Sequence, residues 1–163
     1  MTLNVTPGDP NANSYALQAD ADTFALARGF TSFWDACTVP QKEGFLQWAT
    51  RLLDQLDWKG GRLTPQQALR WPRVAVLDQD GWLVQQSTIP KFLLNATCEL
   101  AILLAVGDRT DDGGTLPISR VQVGTLSVDF NAKMPPEPRV IPKPVKDYVR
   151  PYLRSEGARL VRC

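Results

Sequence analysis

Histidine is absent from all 163 residues of the sequence. Without an imidazole the chain cannot form a Ser-His-Asp triad, a Cys-His pair or a His-bearing zinc site. It also has no phosphate-binding glycine loop and no Gly-x-Ser-x-Gly element around a nucleophilic serine. We therefore expect a protein that is not an enzyme and that binds neither a metal ion nor a cofactor.

Cysteines are few, and long apolar runs are missing. Cys37, Cys98 and Cys163 are far apart and form no Cys-x-x-Cys pair. This spacing favours reduced thiols in a cytosolic protein, with a Cys37–Cys98 disulfide as the less favoured alternative. No apolar run reaches the roughly 18 residues that a membrane-spanning helix needs. The first residues, MTLNVTPGDPNANSY, lack the basic and apolar regions of a signal peptide.

Charge is unevenly distributed along the chain, although the net charge is only +1. Residues 1–132 contain ten Lys/Arg and fourteen Asp/Glu, a net charge of −4, whereas residues 133–163 contain eight and three, a net charge of +5. The whole chain is thus no polycation, but an acidic body with a basic tail. We divide it into an extended lead-in at 1–14, a helical body at 15–132 and a C-terminal arm at 133–163.

Helical periodicity dominates the body. Residues 20–30 and 40–56 are predicted as helices, the first ending at Gly29 and the second capped by Thr38. A third helix, ending at Gly107, is expected to bury one apolar stripe, with Cys98 off that stripe as packing material. These segments predict a mainly α fold. We expect a small bundle of three to four helices, with one or two β-hairpins and an extended Pro-rich C-terminal arm.

The stretch QALRWPR, residues 67–73, has two interpretations. An aromatic flanked by cations can stack on bases and neutralise phosphates. Alternatively, Trp71 is buried against the long helix while an arginine fork hydrogen-bonds to carbonyls or a carboxylate. The second interpretation is favoured, and the first stays open. We call residues 58–73 the strap. Its key residues would be Trp58, Arg62, Trp71, Pro72 and Arg73.

Two hairpins are predicted. VAVLDQDGWLV, residues 74–84, has Asp80-Gly81 in its turn and lacks the glutamate-ended carboxylate series of a calcium loop. In the second hairpin, at about 118–130, Val123 is expected to face Leu126. A lone hairpin is marginal in water, so this one should lie on the helices or pair with another subunit. The residues expected at that contact are Val121, Val123, Leu126, Val128 and Phe130.

The C-terminal arm is rich in proline, with six of the thirteen prolines between Pro135 and Pro151. Such a segment cannot build a core of its own, and a disordered tail is one interpretation. We favour an arm that docks on a neighbour, because solvated tails seldom carry two tyrosines and several aliphatic residues. KPVKDYVRPYL could form one or two helical turns. The candidate anchors are Pro142, Val145, Tyr148, Tyr152 and Leu153.

Short motifs occur in a fixed order from about Asn13 to Phe130. They are NSY at 13–15, ADTF at 21–24, FW at 33–34, ATRLLD at 49–54, WKGGR at 58–62, QALRWPR at 67–73, DQDG at 78–81, IP at 89–90, ATCELA at 96–101 and VGTLSVDF at 123–130. In this order they resemble the head–tail connector, or adaptor, proteins of tailed bacteriophages. Some proteins with the same pattern carry the label of DnaT-like single-stranded-DNA-binding proteins.

The resemblance implies a structural virion protein with a helical-bundle fold. Made in the host cytoplasm, it would sit at the head–tail interface as a ring of about twelve copies. The implied partners are the portal protein, neighbouring copies, a tail or stopper protein, and double-stranded DNA that passes without base readout; no membrane is involved. The arm would reach the portal or a neighbour. Deleting residues 135–163 should then leave a folded body that no longer binds the portal.

The DnaT-like label supports an alternative, a single-stranded-DNA-binding module for replication. That alternative predicts that Trp71→Ala weakens binding to oligonucleotides without unfolding the protein. The structural interpretation of Trp71 predicts instead a loss of about 3–5 kcal/mol in stability.

Overall fold

Five α-helices and two short antiparallel strand pairs make up the part of the chain that the computed structural model describes, residues 2–29, 32–107, 120–123, 126–129 and 141–154. In chain order the elements are α1 (Gln18–Arg28), α2 (Ser32–Asp35), α3 (Val39–Asp54), β1 (Gly61–Arg62), β2 (Arg73–Val74), α4 (Lys91–Val106), β3 (Arg120–Val123), β4 (Leu126–Asp129), α5 (Lys143–Val149) and a 3₁₀ turn at Arg150–Tyr152. The fold is mainly α, as the sequence predicts.

Local signals set the helix ends. Gly29 closes α1 in the left-handed conformation, with φ 78°, which glycine adopts without steric cost. At the start of α3, the side-chain oxygen of Gln41 accepts the backbone N–H of Thr38 at 2.8 Å. Helix α4 ends immediately before Gly107. The predicted helix boundaries around these residues are therefore confirmed to within a few positions.

Helix α4 is the centre of the bundle and packs against α1, α2, α3 and α5. Its residues 96–102 are all buried, including Cys98 and Glu99. The buried surface is wider than the predicted single stripe, because neighbouring helices cover several sides of α4. The prediction that Cys98 is packing material is confirmed by its complete burial. Glu99 pairs there with Arg28, whose Nη2 lies 3.0 Å from Oε1.

Helix α2 is a four-residue element that the sequence did not predict. Trp34 from this helix is buried, and its indole N–H donates to Asp22 at 2.7 Å. Lys42 Nζ lies 2.8 Å from the same carboxylate and 5.3 Å from the centre of the Trp34 ring. These contacts tie the corner where α1, α2 and α3 meet.

The first predicted hairpin is reduced to a turn. A single β-bridge joins Leu77 to Leu83, and the Asp78 carboxylate accepts the N–H groups of Asp80 and Trp82 at 3.0 and 2.8 Å. We call residues 76–84 the Asp78 turn. The carboxylate that could have suggested calcium is used by the backbone of its own turn, which supports the turn interpretation.

The second hairpin has the predicted register. Val121 pairs with Val128 and Val123 pairs with Leu126 in the β3–β4 ladder. Phe130 and the central turn residues lie outside the described residues. The interface role of this hairpin stays a prediction.

Residues 2–14 contain no helix or strand, in keeping with an extended lead-in, but they are anchored to the body. The anchoring bond runs from the Ala68 N–H of the strap to the Asp9 carbonyl, at 3.2 Å. Within the lead-in itself, the backbone N–H of Asn4 donates to the Asn13 side chain at 2.8 Å. Within the described ranges, none of the helices combines the length and apolar character that crossing a membrane would require.

Candidate functional site

The strap turns sharply as soon as it leaves α3. Gly60 has φ +72°, and a Cβ at this position would collide with the carbonyl oxygen of Val74 and approach Val76 Cγ2 to 2.7 Å. Only glycine fits there without displacing backbone. The turn brings Gly61 opposite Val74 and Arg62 opposite Arg73 in the β1–β2 pair.

Trp71 lies inside the core and is 1% exposed. Its ring makes edge-to-face contacts with Trp58, at 5.5 Å between ring centroids, and with Phe92 of α4, at 5.4 Å. Its indole N–H has no hydrogen-bond partner among the described residues. The ring is therefore enclosed by other aromatic side chains and cannot present a face to a nucleotide base.

Pro72 and Arg73 are buried beside it, and Trp71 and Pro72 are joined by a cis peptide bond. The Arg73 guanidinium donates to the carbonyls of Lys59 at 2.6 Å, Gly60 at 2.7 Å, Arg70 at 3.2 Å and Trp58 at 3.3 Å. Burial, followed by the neighbouring charges of Arg70 and Arg154, lowers the pKa of Arg73. Its role is that of a clamp on the strap backbone.

A buried polar network fixes the other side of the strap. The Tyr15 hydroxyl donates to Asp54 of α3 and accepts the Trp71 backbone N–H at 3.2 Å. Asp54 also accepts the Arg70 backbone N–H at 2.7 Å. Burial first, and then the Asp54 charge, raise the pKa of Tyr15 well above its ordinary value. Of the five predicted strap residues, Arg62 alone is exposed, so its side chain takes no part in this packing.

The C-terminal segment, residues 141–154, packs on its own body. Val145 and Val149 of α5 are completely buried, and Tyr152 stacks on Phe92 with 3.7 Å between ring centroids. Lys59 N–H donates to the Tyr152 carbonyl at 2.9 Å. Two of the five predicted docking anchors, Val145 and Tyr152, are therefore held in the core of this chain.

The other three anchors lie nearer the surface. Pro142 and Leu153 are half-buried and Tyr148 is exposed. Leu153 forms a β-bridge with Trp58. Contact of these residues with a portal or a neighbouring subunit stays a prediction. The expectation that deletion of residues 135–163 leaves a folded body is wrong for this packing, because the deletion would strip Val145, Val149 and Tyr152 from the core.

A groove of about 830 Å³ lies between the residues that follow α3 and the C-terminal segment. Its lining carries four cations, Lys59, Lys146, Arg150 and Arg154, and one carboxylate, Asp57. We call it the basic groove. The basic character of the C-terminal arm predicts the cations of one wall. The sequence near Lys59 does not predict that this residue lies opposite that wall.

Two exposed apolar patches lie at opposite ends of α3. At its start, Phe33 is 63% and Val39 53% exposed. The second patch is on the Asp78 turn, which follows the contact between Gly60 and Val76. Its residues Leu77, Trp82 and Leu83 are 51%, 74% and 66% exposed. The 16 residues of α3 span about 24 Å between these two ends. Neither patch is predicted by a pattern in the sequence.

Comparison with known proteins gives one match. A family model described as "Putative DnaT-like ssDNA binding protein" matches residues 1–163. No curated protein and no solved structure matches the chain.

Proposed function

The chain belongs to this DnaT-like family, and within it we propose that the protein is a non-enzymatic head–tail connector subunit of a tailed bacteriophage. It would form a ring of about twelve copies on the portal, continue the DNA channel and present a docking surface to a tail or stopper protein. The ordered motifs between Asn13 and Phe130 support this proposal through their resemblance to connector proteins.

The structural observation that carries the proposal is the presence of two exposed apolar patches, one at the start of α3 and the other on the Asp78 turn. Scattered exposed apolar residues are ordinary, but clusters such as Leu77, Trp82 and Leu83 usually mark interaction surfaces. A subunit with two different patches can contact two different neighbours. Head-to-tail ring closure, and a position between two partners, both require that arrangement.

The direct test is electron microscopy of the purified protein with and without portal rings of the phage that encodes it. We expect a ring of about twelve copies stacked coaxially on the portal. A protein that stays separate from portal rings at all concentrations contradicts the proposal. Sedimentation of the same mixtures shows whether binding fails or only ring closure does.

A second candidate function, single-stranded-DNA binding, is favoured by the family description. The burial of Trp71 removes the stacking platform that QALRWPR offered in the sequence. The test is Trp71→Ala. Since large buried aromatics contribute about 3–5 kcal/mol, we expect a loss of that size in chemical denaturation. A variant that keeps its stability but loses oligonucleotide affinity would support the second candidate instead.

A further inference from the structure

In the described part of this nearly neutral chain, the basic groove brings several cations together. The basic groove has four cations and one carboxylate in its lining, whereas the whole chain has a net charge of +1. Three of the cations lie on the C-terminal wall, and the opposite wall carries Lys59 together with Asp57, so the groove as a whole is positive and attracts negative charge. A ligand that fills it must therefore carry closely spaced negative charges.

Two of the four cations are available to a ligand. Lys59 Nζ already donates to a backbone carbonyl at 2.7 Å, and Arg154 lies 3.7 Å from Asp57. In the described part of the chain, the side chains of Lys146 and Arg150 have no hydrogen-bond or ion-pair partner, and both residues are exposed. Lys146 lies in the middle of α5 and Arg150 directly follows the helix, still in helical conformation, so the two residues are four apart and project from the same side.

No aromatic ring lines the groove among the described residues. Trp58, Trp71 and Tyr152 are buried in the core behind it. Grooves that hold single strands combine cations with aromatic side chains on which bases stack. A groove with cations alone can hold phosphates but offers no surface to an unstacked base.

We propose that the basic groove binds the phosphate backbone of duplex DNA, without contact to the bases. Duplex DNA presents one negative charge per about 1.7 Å of its axis, a higher density than an acidic peptide or a single strand provides. The inference does not depend on ring formation and goes beyond the connector proposal. It departs from the single-strand binding that the family description names.

The experiment measures fluorescence anisotropy of a labelled 20-base-pair duplex with the full chain, from about 25 to 200 mM salt. Two free cations and two partly engaged ones predict a slope of about −2 to −4 for log affinity against log salt. The double variant Lys146→Glu/Arg150→Glu should lose about tenfold or more of the affinity at low salt. Arg51→Glu/Lys91→Glu changes the net charge equally outside the groove and should lose much less.

The remaining outcomes each support or overturn duplex binding by the basic groove. A single strand of the same length should bind no more tightly than the duplex, and preference for the single strand would overturn the inference. Equal loss in both double variants, or no binding of the unaltered protein at low salt, would also overturn it. If the protein binds poly-glutamate but not the duplex, the ligand of the groove is an acidic protein segment and the inference is overturned.

Folding of each variant is checked by near-ultraviolet circular dichroism. If the glutamate variant unfolds, Lys146→Gln/Arg150→Gln replaces it and should show the same direction of change. Binding to portal rings is measured separately on the same samples. If the protein does not bind portal rings, the DNA-binding measurement therefore still tests the basic groove.

Discussion

Arg73 is held by carbonyl oxygens that come from two separate stretches of the strap, residues 58–60 and Arg70. Its planar fork donates in several fixed directions at once, which a lysine ammonium on a flexible stem does not reproduce. Because the strap end is buried, a carbonyl that loses its donor loses it without full access to water. The identity of this one side chain therefore determines how the strap closes.

Arg73→Lys should lower the free energy of unfolding by about 2–3 kcal/mol, since at least one charged hydrogen bond is lost and one carbonyl is left unpaired. Urea denaturation followed by tryptophan fluorescence measures the change. The exposed Arg62 provides the control, and Arg62→Lys should stay within about 0.5 kcal/mol of the unaltered protein. Equal effects of both substitutions would contradict the clamp.

Asp22 links stability to pH. Burial alone would raise its pKa, but hydrogen bonds from Lys42, Trp34 and Gln18 outweigh burial, so the pKa is lowered from 3.8. A lowered folded-state pKa stabilises the protein above the unfolded value, and this contribution is lost as the pH falls through the folded-state value. The relevant window is therefore at and below about pH 4.

We expect Asp22→Asn to lower the melting temperature at pH 7 by about 1–3 °C, a size typical of a half-exposed ion pair. The difference from the unaltered protein should be complete above about pH 5 and should shrink below pH 4. Melting curves at pH 7, 5, 3 and 2.5 measure it. A difference that is the same at every pH would show that the charge of Asp22 contributes nothing.

At the scale of elements, α5 is a short amphipathic helix that completes the core. Val149 is completely buried, whereas Tyr148, its neighbour in sequence, is 37% exposed. Val149→Asp should cost at least about 3 kcal/mol, because it places a carboxylate in an apolar site. Tyr148→Asp is the matched control and should keep nearly full stability. Thermal unfolding of the two variants, compared side by side, tests whether α5 is part of the folded body.

The long elements could be predicted because their signals are local. Thr38, Gly29 and Gly107 mark helix ends, and the alternation of valines in β3 and β4 sets their register. The burial of Trp71 was favoured for a physical reason, since a rigid proline and a guanidinium fork suit a closed strap better than an open platform.

The remaining elements depend on contacts between distant residues. Helix α2 is too short for periodicity, and its Trp34 is fixed by Asp22 and Lys42 from other helices. The C-terminal segment carries apolar anchors that fit a partner or its own body equally well. Only the position of Phe92 shows which surface Tyr152 covers. The basic groove likewise requires two walls that are about 90 residues apart in the chain.

At the scale of the whole molecule, residues of the two apolar patches can be substituted to test assembly without disturbing the fold. Trp82 is 74% exposed on a turn whose backbone is held by Asp78, so its side chain contributes little to the core. Trp82→Ser should leave the melting temperature within about 2 °C, as expected for an exposed position. The same substitution should weaken attachment to portal rings or ring closure, measured by sedimentation. Unchanged assembly would exclude this patch as a contact.

The stacking of Tyr152 on Phe92 also sets an order of events during synthesis. At about 5–20 residues per second, the ribosome needs roughly 3–12 seconds to proceed from one of these residues to the other. During that interval the face of Phe92 lacks the Tyr152 ring that covers it. We expect the nascent chain to depend on chaperone protection until α5 and Tyr152 emerge, and slow translation of residues 93–152 to lower its yield.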